Sequence, residues 1–144
     1  MAEVVSVNIS EKRGTIKTPI ARARLKINHG IEGDSHAENW RRQISLLAQE
    51  SIDKMSAMGV PDLTPGKFAE NITTRGIELY SLPVGTRLML GECEVEVTQI
   101  GKECHRHCEI FKEVGKCVMP SEGVFVKVIT EGTVAPGDSV SVLR

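Results

Sequence analysis

Residues 82–90 read LPVGTRLML and residues 134–142 read VAPGDSVSV. Both run apolar residue, proline, glycine, polar residue, then an alternating apolar–polar stretch. Proline pre-sets φ and glycine supplies the turn, so each reads as a tight turn feeding a strand. The first runs on through Gly91 into CEVEVTQI (Cys93–Ile100), a second alternating stretch. Outward from this pair, strand patterns dominate the chain. EVVSVNIS (Glu3–Ser10), FAENITT (Phe68–Thr74), GVFVKVIT (Gly123–Thr130) and DSVSVLR (Asp138–Arg144) all fit. ARARLKIN (Ala21–Asn28) alternates with Ala21, Ala23, Leu25 and Ile27 on one face, while ISLLA (Ile44–Ala48) is a short apolar run suited to a buried strand. The best helix candidate is Gln49–Met58, where Ile52 and Met55 share a face with Ala48 and Gly59 stops the run. Many short strands with turn punctuation and one or two short helices predict a mostly-β barrel, built as a single domain over residues 1–144.

Composition narrows the function classes. A net charge of -1 gives no global attraction to nucleic acid or anionic membrane. With one Trp, one Tyr and three Phe, a base-stacking platform is not expected. No apolar run approaches the ~20 residues of a membrane span. The opening MAEVVSVNISEKRG lacks the basic and apolar regions of a signal peptide, so a cytoplasmic location is expected. Thiols stay reduced there, and the four cysteines read as buried, metal-binding or reactive before any disulfide.

Three polar clusters carry candidate chemistry. In GIEGDSHAENWRRQ (Gly30–Gln43), Gly30 and Gly33 bracket a turn followed by Asp34, His36, Glu38, Asn39, Arg41, Arg42 and Gln43. Paired arginines offer planar forks for phosphate or carboxylate; the plainer reading is a solvated loop capped by Asp34. In PGKFAENITTRG (Pro65–Gly76), Glu70 and Asn71 interrupt a strand-like stretch. Whichever faces inward needs a partner, unless the stretch is an edge strand with solvated side chains. In GKECHRHCEIF (Gly101–Phe111), two cysteines and two histidines fall within five positions. A helix from about Cys104 to Val114 would put Cys104, Cys108 and Phe111 on one face. Cys104, His107, Cys108 and Cys117 would make an irregularly spaced zinc set, and small buried core thiols are the plainer alternative. Cys104 follows a strand and stands at the expected helix N-terminus beside Lys102 and Arg106, a setting that favours thiolate.

Taken together, the chain resembles a MOSC domain, the module named for the C-terminal part of molybdenum cofactor sulfurases. GIEGDSHA resembles the family's Gly-x-x-Gly-Asp-x-His segment, and RRQISLLAQES its Arg-Gln-hydrophobic segment leading into a helix. FAENITTRGIEL followed by LPVGTRLMLG resembles its Glu-Asn-hydrophobic-Thr stretch and barrel turn. VTQIGKECH ends on a cysteine where the family carries its functional one. One departure is Ala69, where family members commonly have glycine. The resemblance implies a barrel like the C-terminal domain of pyruvate kinase. It also implies binding of the molybdenum cofactor, a molybdopterin complex held transiently, or carriage of sulfur as a persulfide on Cys104. The cofactor-groove candidates are Gly33, Asp34, His36, Arg42, Glu70, Asn71, Arg75 and Lys102. Cys104 is the catalytic candidate and a possible molybdenum ligand, with Cys108 a further metal-ligand candidate. The implied partners are a sulfur donor such as a cysteine desulfurase and a molybdoenzyme or metal–sulfur cluster acceptor, with no pyridoxal phosphate site on this chain. The alternatives are a molybdenum-cofactor-dependent reductase of N-hydroxylated compounds, with Cys104 as metal ligand, and a non-catalytic zinc-stabilised module.

Overall fold

The two Pro–Gly stretches fold as expected in the computed structural model, which describes residues 2–12, 15–60, 63–101 and 122–143. Gly85 (φ 96°) and Gly137 (φ 94°) hold the positive-φ position of a turn closed by Thr86 N–H to the Pro83 carbonyl and by Asp138 N–H to the Ala135 carbonyl, both 3.1 Å. The strands that follow, β7 (Arg87–Leu90) and β11 (Val140–Val142), pair with each other, Val140 opposite Leu90 and Val142 opposite Leu88. Each turn glycine also donates its N–H to a neighbouring strand. Gly85 reaches the Val97 carbonyl (2.7 Å) in β8 (Cys93–Ile100), and Gly137 the Val4 carbonyl (2.8 Å) in β1 (Glu3–Ile9).

That second bond helps to close the barrel. The main sheet adds β2 (Thr18–Ile20), β5 (Ile44–Ala48), β6 (Ile72–Arg75) and β9 (Val124–Val128), in the order β11-β7-β8-β9-β5-β6-β1-β2. Its first and seventh strands meet where Val4 N–H reaches the Asp138 carbonyl (2.8 Å) and Val140 N–H the Ala2 carbonyl (3.1 Å). Among the described strands only β5 and β6 run parallel, joined by a crossover through α1 (Gln49–Ala57). A second sheet, ordered β10-β3-β4, adds β3 (Ala23–Lys26), β4 (Gly30–Ile31) and β10 (Gly132–Val134).

The core follows from the alternation. Val4, Leu25, Ile31, Ile44, Leu46, Ile72, Leu88, Val95 and Val126 are among the residues of one buried cluster, while Leu47, Ile52, Met55, Phe68 and Phe125 form another with α1. β5 contributes to both, so all five of its residues are buried and the run ISLLA does not alternate.

Two local expectations need correction. The alternating face of Ala21–Asn28 is shorter than its pattern: Ala23 and Leu25 are buried, Ala21 is exposed and Ile27 is 47% exposed, because β3 ends at Lys26. The strand expected from Phe68 begins only at Ile72. Before it the chain turns, with Gly66 at φ 93° and Ala69 at φ 62°. Glu70 causes this, because its carboxylate accepts the N–H groups of Gly66 (3.0 Å) and Phe68 (3.2 Å) and so satisfies a turn rather than a ladder. Ala69 holds the left-handed conformation that glycine adopts at lower cost.

Candidate functional site

The segment 30–43 leaves and rejoins the barrel through a tight contact. A side chain on Gly30 (φ 123°) would place its Cβ 2.7 Å from the Gln43 carbonyl oxygen, so only glycine fits. Gly33 (φ 88°) then turns the chain inward, and Asp34 is buried. Its Oδ1 accepts the Ser10 N–H (3.1 Å) and the Lys17 ammonium (2.7 Å), and its Oδ2 accepts the His36 N–H (3.0 Å). The Lys17 and Asp34 side chains are both 0% exposed. Burial alone would push the Asp34 carboxyl up. The hydrogen bond and charge of Lys17, with the His36 and Ser10 N–H groups, outweigh it and hold the carboxyl below its ordinary range. The cap expected of Asp34 is therefore present, inside the protein rather than in a solvated loop.

Around this corner runs a ledge of planar groups. The His36 and Trp40 rings are stacked, 6.4 Å between centroids and 3° from parallel, and Trp40 Nε1–H donates to the His36 carbonyl (2.9 Å). The Arg42 guanidinium lies 5.0 Å from the Trp40 ring centroid and 5.7 Å from that of Phe125. Its Nε is buried and has no hydrogen-bond partner among the described residues. Arg41 Nε donates to Gln99 Oε1 (2.8 Å), and Gln99 Nε2 to the Gly101 carbonyl (2.8 Å). Gly101 N–H in turn donates to the Gly123 carbonyl (2.6 Å), which holds these two glycines together next to Gln99.

Glu70 and Asn71 are 0% exposed. Asn71 Oδ1 accepts the Ser45 N–H (2.9 Å) and hydroxyl (3.2 Å), while its Nδ2 donates to the Asn8 carbonyl (3.1 Å), bracing β5 against β1. Glu70 adds the Thr73 hydroxyl (2.7 Å) to its two N–H donors. No cation pairs with it among the described residues, and burial outweighs these donors and pushes its carboxyl above the ordinary range. These two motif residues thus hold the scaffold behind the ledge, where a groove-lining place was expected. Arg75 lies at the far end of β1 from Ser10, exposed and paired with Glu3 at 2.5 Å. Lys102, Cys104 and Cys108 lie outside the described residues, as do His105, His107 and Cys117. Among the described residues, no group of three His, Cys, Asp or Glu side chains could hold a metal ion. Cys93 faces the core, and its burial pushes the thiol up to about 11.

The residue that sequence reasoning missed is Lys17. In TIKTPI it reads as a solvent-facing lysine, and the only hint is indirect, since a buried Asp34 needs a cation. Trp40 was passed over for the same reason, its role being set by contacts across the segment. A cavity of about 360 Å³ lined by Ala48, Ser51, Lys54, Ile77, Glu78 and Tyr80 opens at the opposite ends of β5 and β6. Its Lys54 and Ser51 pair with Glu122 at 3.1 and 2.5 Å, and it shares no residue with the ledge.

Among the described residues, no helix is long and apolar enough to cross a membrane. No curated protein sequence matches the chain. Solved structures are similar in fold. YuaD of Bacillus subtilis superposes with a TM-score of 0.80 at 20% identity, covering 99% of this chain and 96% of that one. YiiM of Geobacillus stearothermophilus gives 0.78 at 20% identity, covering 100% and 76%, and YiiM of Escherichia coli 0.71 at 19%, covering 100% and 70%. The family model for the MOSC domain matches residues 32–141, a span that holds Asp34, His36, Arg42 and the Glu70–Asn71 pair. This chain belongs to the MOSC domain family, which is associated with binding of the molybdenum cofactor.

Proposed function

We propose that this protein is a sulfur-carrying MOSC domain, in which Cys104 bears a persulfide beside an anion-binding ledge built on Arg42. The observation that carries the reading is Arg42 itself. Its guanidinium face is spread over the Trp40 and Phe125 rings and its Nε is buried with no partner among the described residues. A buried donor left unmatched is costly, and a bidentate phosphate or carboxylate would satisfy it. The donor set therefore fits the phosphate of a molybdenum cofactor, with Arg42 as its anchor. When bound, that cofactor offers the metal centre that receives sulfur. Cys104 is three residues beyond Gly101, so chain geometry alone keeps its Cα within about 11 Å of the Gly101 Cα.

The transfer step is a thiol exchange. The Cys104 thiolate attacks the outer sulfur of a donor persulfide, such as that of a cysteine desulfurase. A new S–S bond forms on Cys104, the donor's S–S bond breaks, and the donor leaves as a thiolate with no net redox change. Delivery restores the Cys104 thiolate when an acceptor takes the outer, zero-valent sulfur, and a metal acceptor must itself supply the two electrons that turn that sulfur into bound sulfide.

The experiment is to treat the protein with glutathione persulfide and map the added sulfur by mass spectrometry. The Cys104 peptide should carry it, Cys104→Ser should not, and buried Cys93 serves as the unreactive control in both. Equal loading of Cys104→Ser overturns the carrier role. Arg42→Met should weaken binding of the molybdenum cofactor by roughly ten- to a hundredfold, the worth of a charge-assisted hydrogen bond.

A further inference from the structure

The ledge carries a second guanidinium beside that of Arg42. Gln99 in β8 and Phe125 in β9 stand directly opposite each other, so their side chains lie side by side on one face of the sheet. Each holds an arginine. The Arg42 guanidinium lies 5.7 Å from the Phe125 ring centroid, and Arg41 Nε donates to Gln99 Oε1 at 2.8 Å. The Arg41 backbone is pinned to the same place, because its carbonyl accepts the Thr98 hydroxyl at the bulge between Val97 and Gln99. Gln99 is itself held, its Nε2 donating to the Gly101 carbonyl at 2.8 Å. Neutral groups therefore fix both cations, an amide for one and aromatic rings for the other. Among the described residues no carboxylate pairs with either, whereas Arg75 and Arg87 lie against Glu3, Glu94 and Glu96. Like charges on neighbouring side chains repel, and a bound anion relieves that repulsion. Arg41 spends only its Nε on Gln99 among the described residues, which leaves both terminal nitrogens of its fork for a ligand.

We propose that Arg41 is a second anion-binding residue and sets the charge selectivity of the ledge, so that the site takes a dianionic phosphate monoester in preference to a singly charged anion. Gln99 is the positioning residue that keeps the Arg41 fork beside Arg42. The inference rests on the anion-binding role proposed for Arg42, and adds the charge class of the ligand and the residue that reads it. A phosphate monoester is doubly charged above its second pKa of about 6 and offers three terminal oxygens, enough for two forks.

The test is a chemical-shift titration of the full chain at pH 7.5 and low salt, followed at the backbone amides and the Trp40 indole. The probes are methyl phosphate, a dianion there, and methyl sulfate, which has the same shape and one charge fewer. Wild type should bind methyl phosphate about tenfold more tightly than methyl sulfate. Arg41 is exposed, so Arg41→Met should fold; it should lose about that factor for methyl phosphate and change little for methyl sulfate. Gln99→Leu keeps both charges but frees the Arg41 fork, and should lower the ratio of the two affinities while methyl sulfate still binds. Equal wild-type affinities for the two probes overturn the inference, as does a preference that survives Arg41→Met. An unchanged ratio in Gln99→Leu removes the positioning role. Arg42→Met should bind neither probe. Equal binding of both probes that depends on Arg42 defeats the selectivity alone, whereas no binding of either by wild type defeats the anion role of Arg42 as well. The two readings therefore fail distinguishably.

Discussion

Asp34 and Glu70 are both buried carboxylates, one in each polar motif that flanks β5, and their surroundings drive them in opposite directions. Asp34 has Lys17 at 2.7 Å and stays below the ordinary carboxyl range. Glu70 has two N–H groups and a hydroxyl, all neutral, and is pushed above it. Three neutral donors shape a turn around a carboxylate yet do not repay its loss of water. The cation sits at the corner that reaches the surface through His36, and the neutral clamp sits behind it.

The largest effect should come from unpairing the first carboxylate. Lys17→Met leaves Asp34 charged and buried, and should cost about 3–5 kcal/mol in urea unfolding at neutral pH. Lys17→Met/Asp34→Asn should recover part of that loss, and additive single and double effects would show that the pair is not coupled.

Glu70→Gln comes next. An amide cannot accept from Gly66, Phe68 and Thr73 together, and one buried donor left unmatched should cost about 1–3 kcal/mol. The pH dependence separates the two carboxylates. A lowered Asp34 contributes stability that is present above the unfolded value of ~3.9 and is lost as pH falls through the folded value. A raised Glu70 contributes stability that is full below the unfolded value of ~4.3 and is lost as pH rises through the folded one. Urea midpoints across pH 2.5–8, taken as differences from wild type, should lose the acid-side fall in Asp34→Asn and the gain on mild acidification in Glu70→Gln. Identical profiles for the two variants would end the contrast.

The smallest effect tests a buried polar atom in the barrel. Thr74 Oγ1 is buried with no partner among the described residues, one position from the Thr73 hydroxyl that serves Glu70. Thr74→Val should stabilise by about 1 kcal/mol, and Thr73→Val should destabilise by a similar amount. Thermal or urea unfolding of the two variants, side by side, gives the sign.

The barrel was legible because its signals are local. A Pro–Gly pair ahead of an alternating run specifies turn and strand together, and both such stretches folded as read. The apolar run ISLLA and the helix stopped by Gly59 were equally plain. The site was legible only in outline. Asp34, His36 and Arg42 were found from polarity between glycines and from the family pattern. Lys17 was not, because a burial that depends on a carboxylate 17 positions away leaves no trace in the alternation around it. Glu70 misled in the opposite sense. Its neighbours read as strand by propensity, and a buried carboxylate collecting backbone N–H groups overrode them.

The seam between β1 and the stretch leading into β11 has a consequence for how the protein is made. Val4 donates its N–H to Asp138 and accepts that of Gly137, with most of the described chain between them. During synthesis the first strand emerges long before its last partner exists. Its β2 partner follows at once and covers Val7–Ile9, its β6 partner arrives midway, and the Glu3–Val4 end of the β2 side stays open until the turn at Gly137 is made. Closure of that seam should be the slow step of folding, since contacts between distant residues carry the greatest loop-closure cost. Until then the Glu3–Val4 end of the strand has no partner on that side, and open strand edges invite pairing with other chains. Gly137, which turns the chain back onto Val4, is thus a guard against aggregation as much as a corner of the barrel.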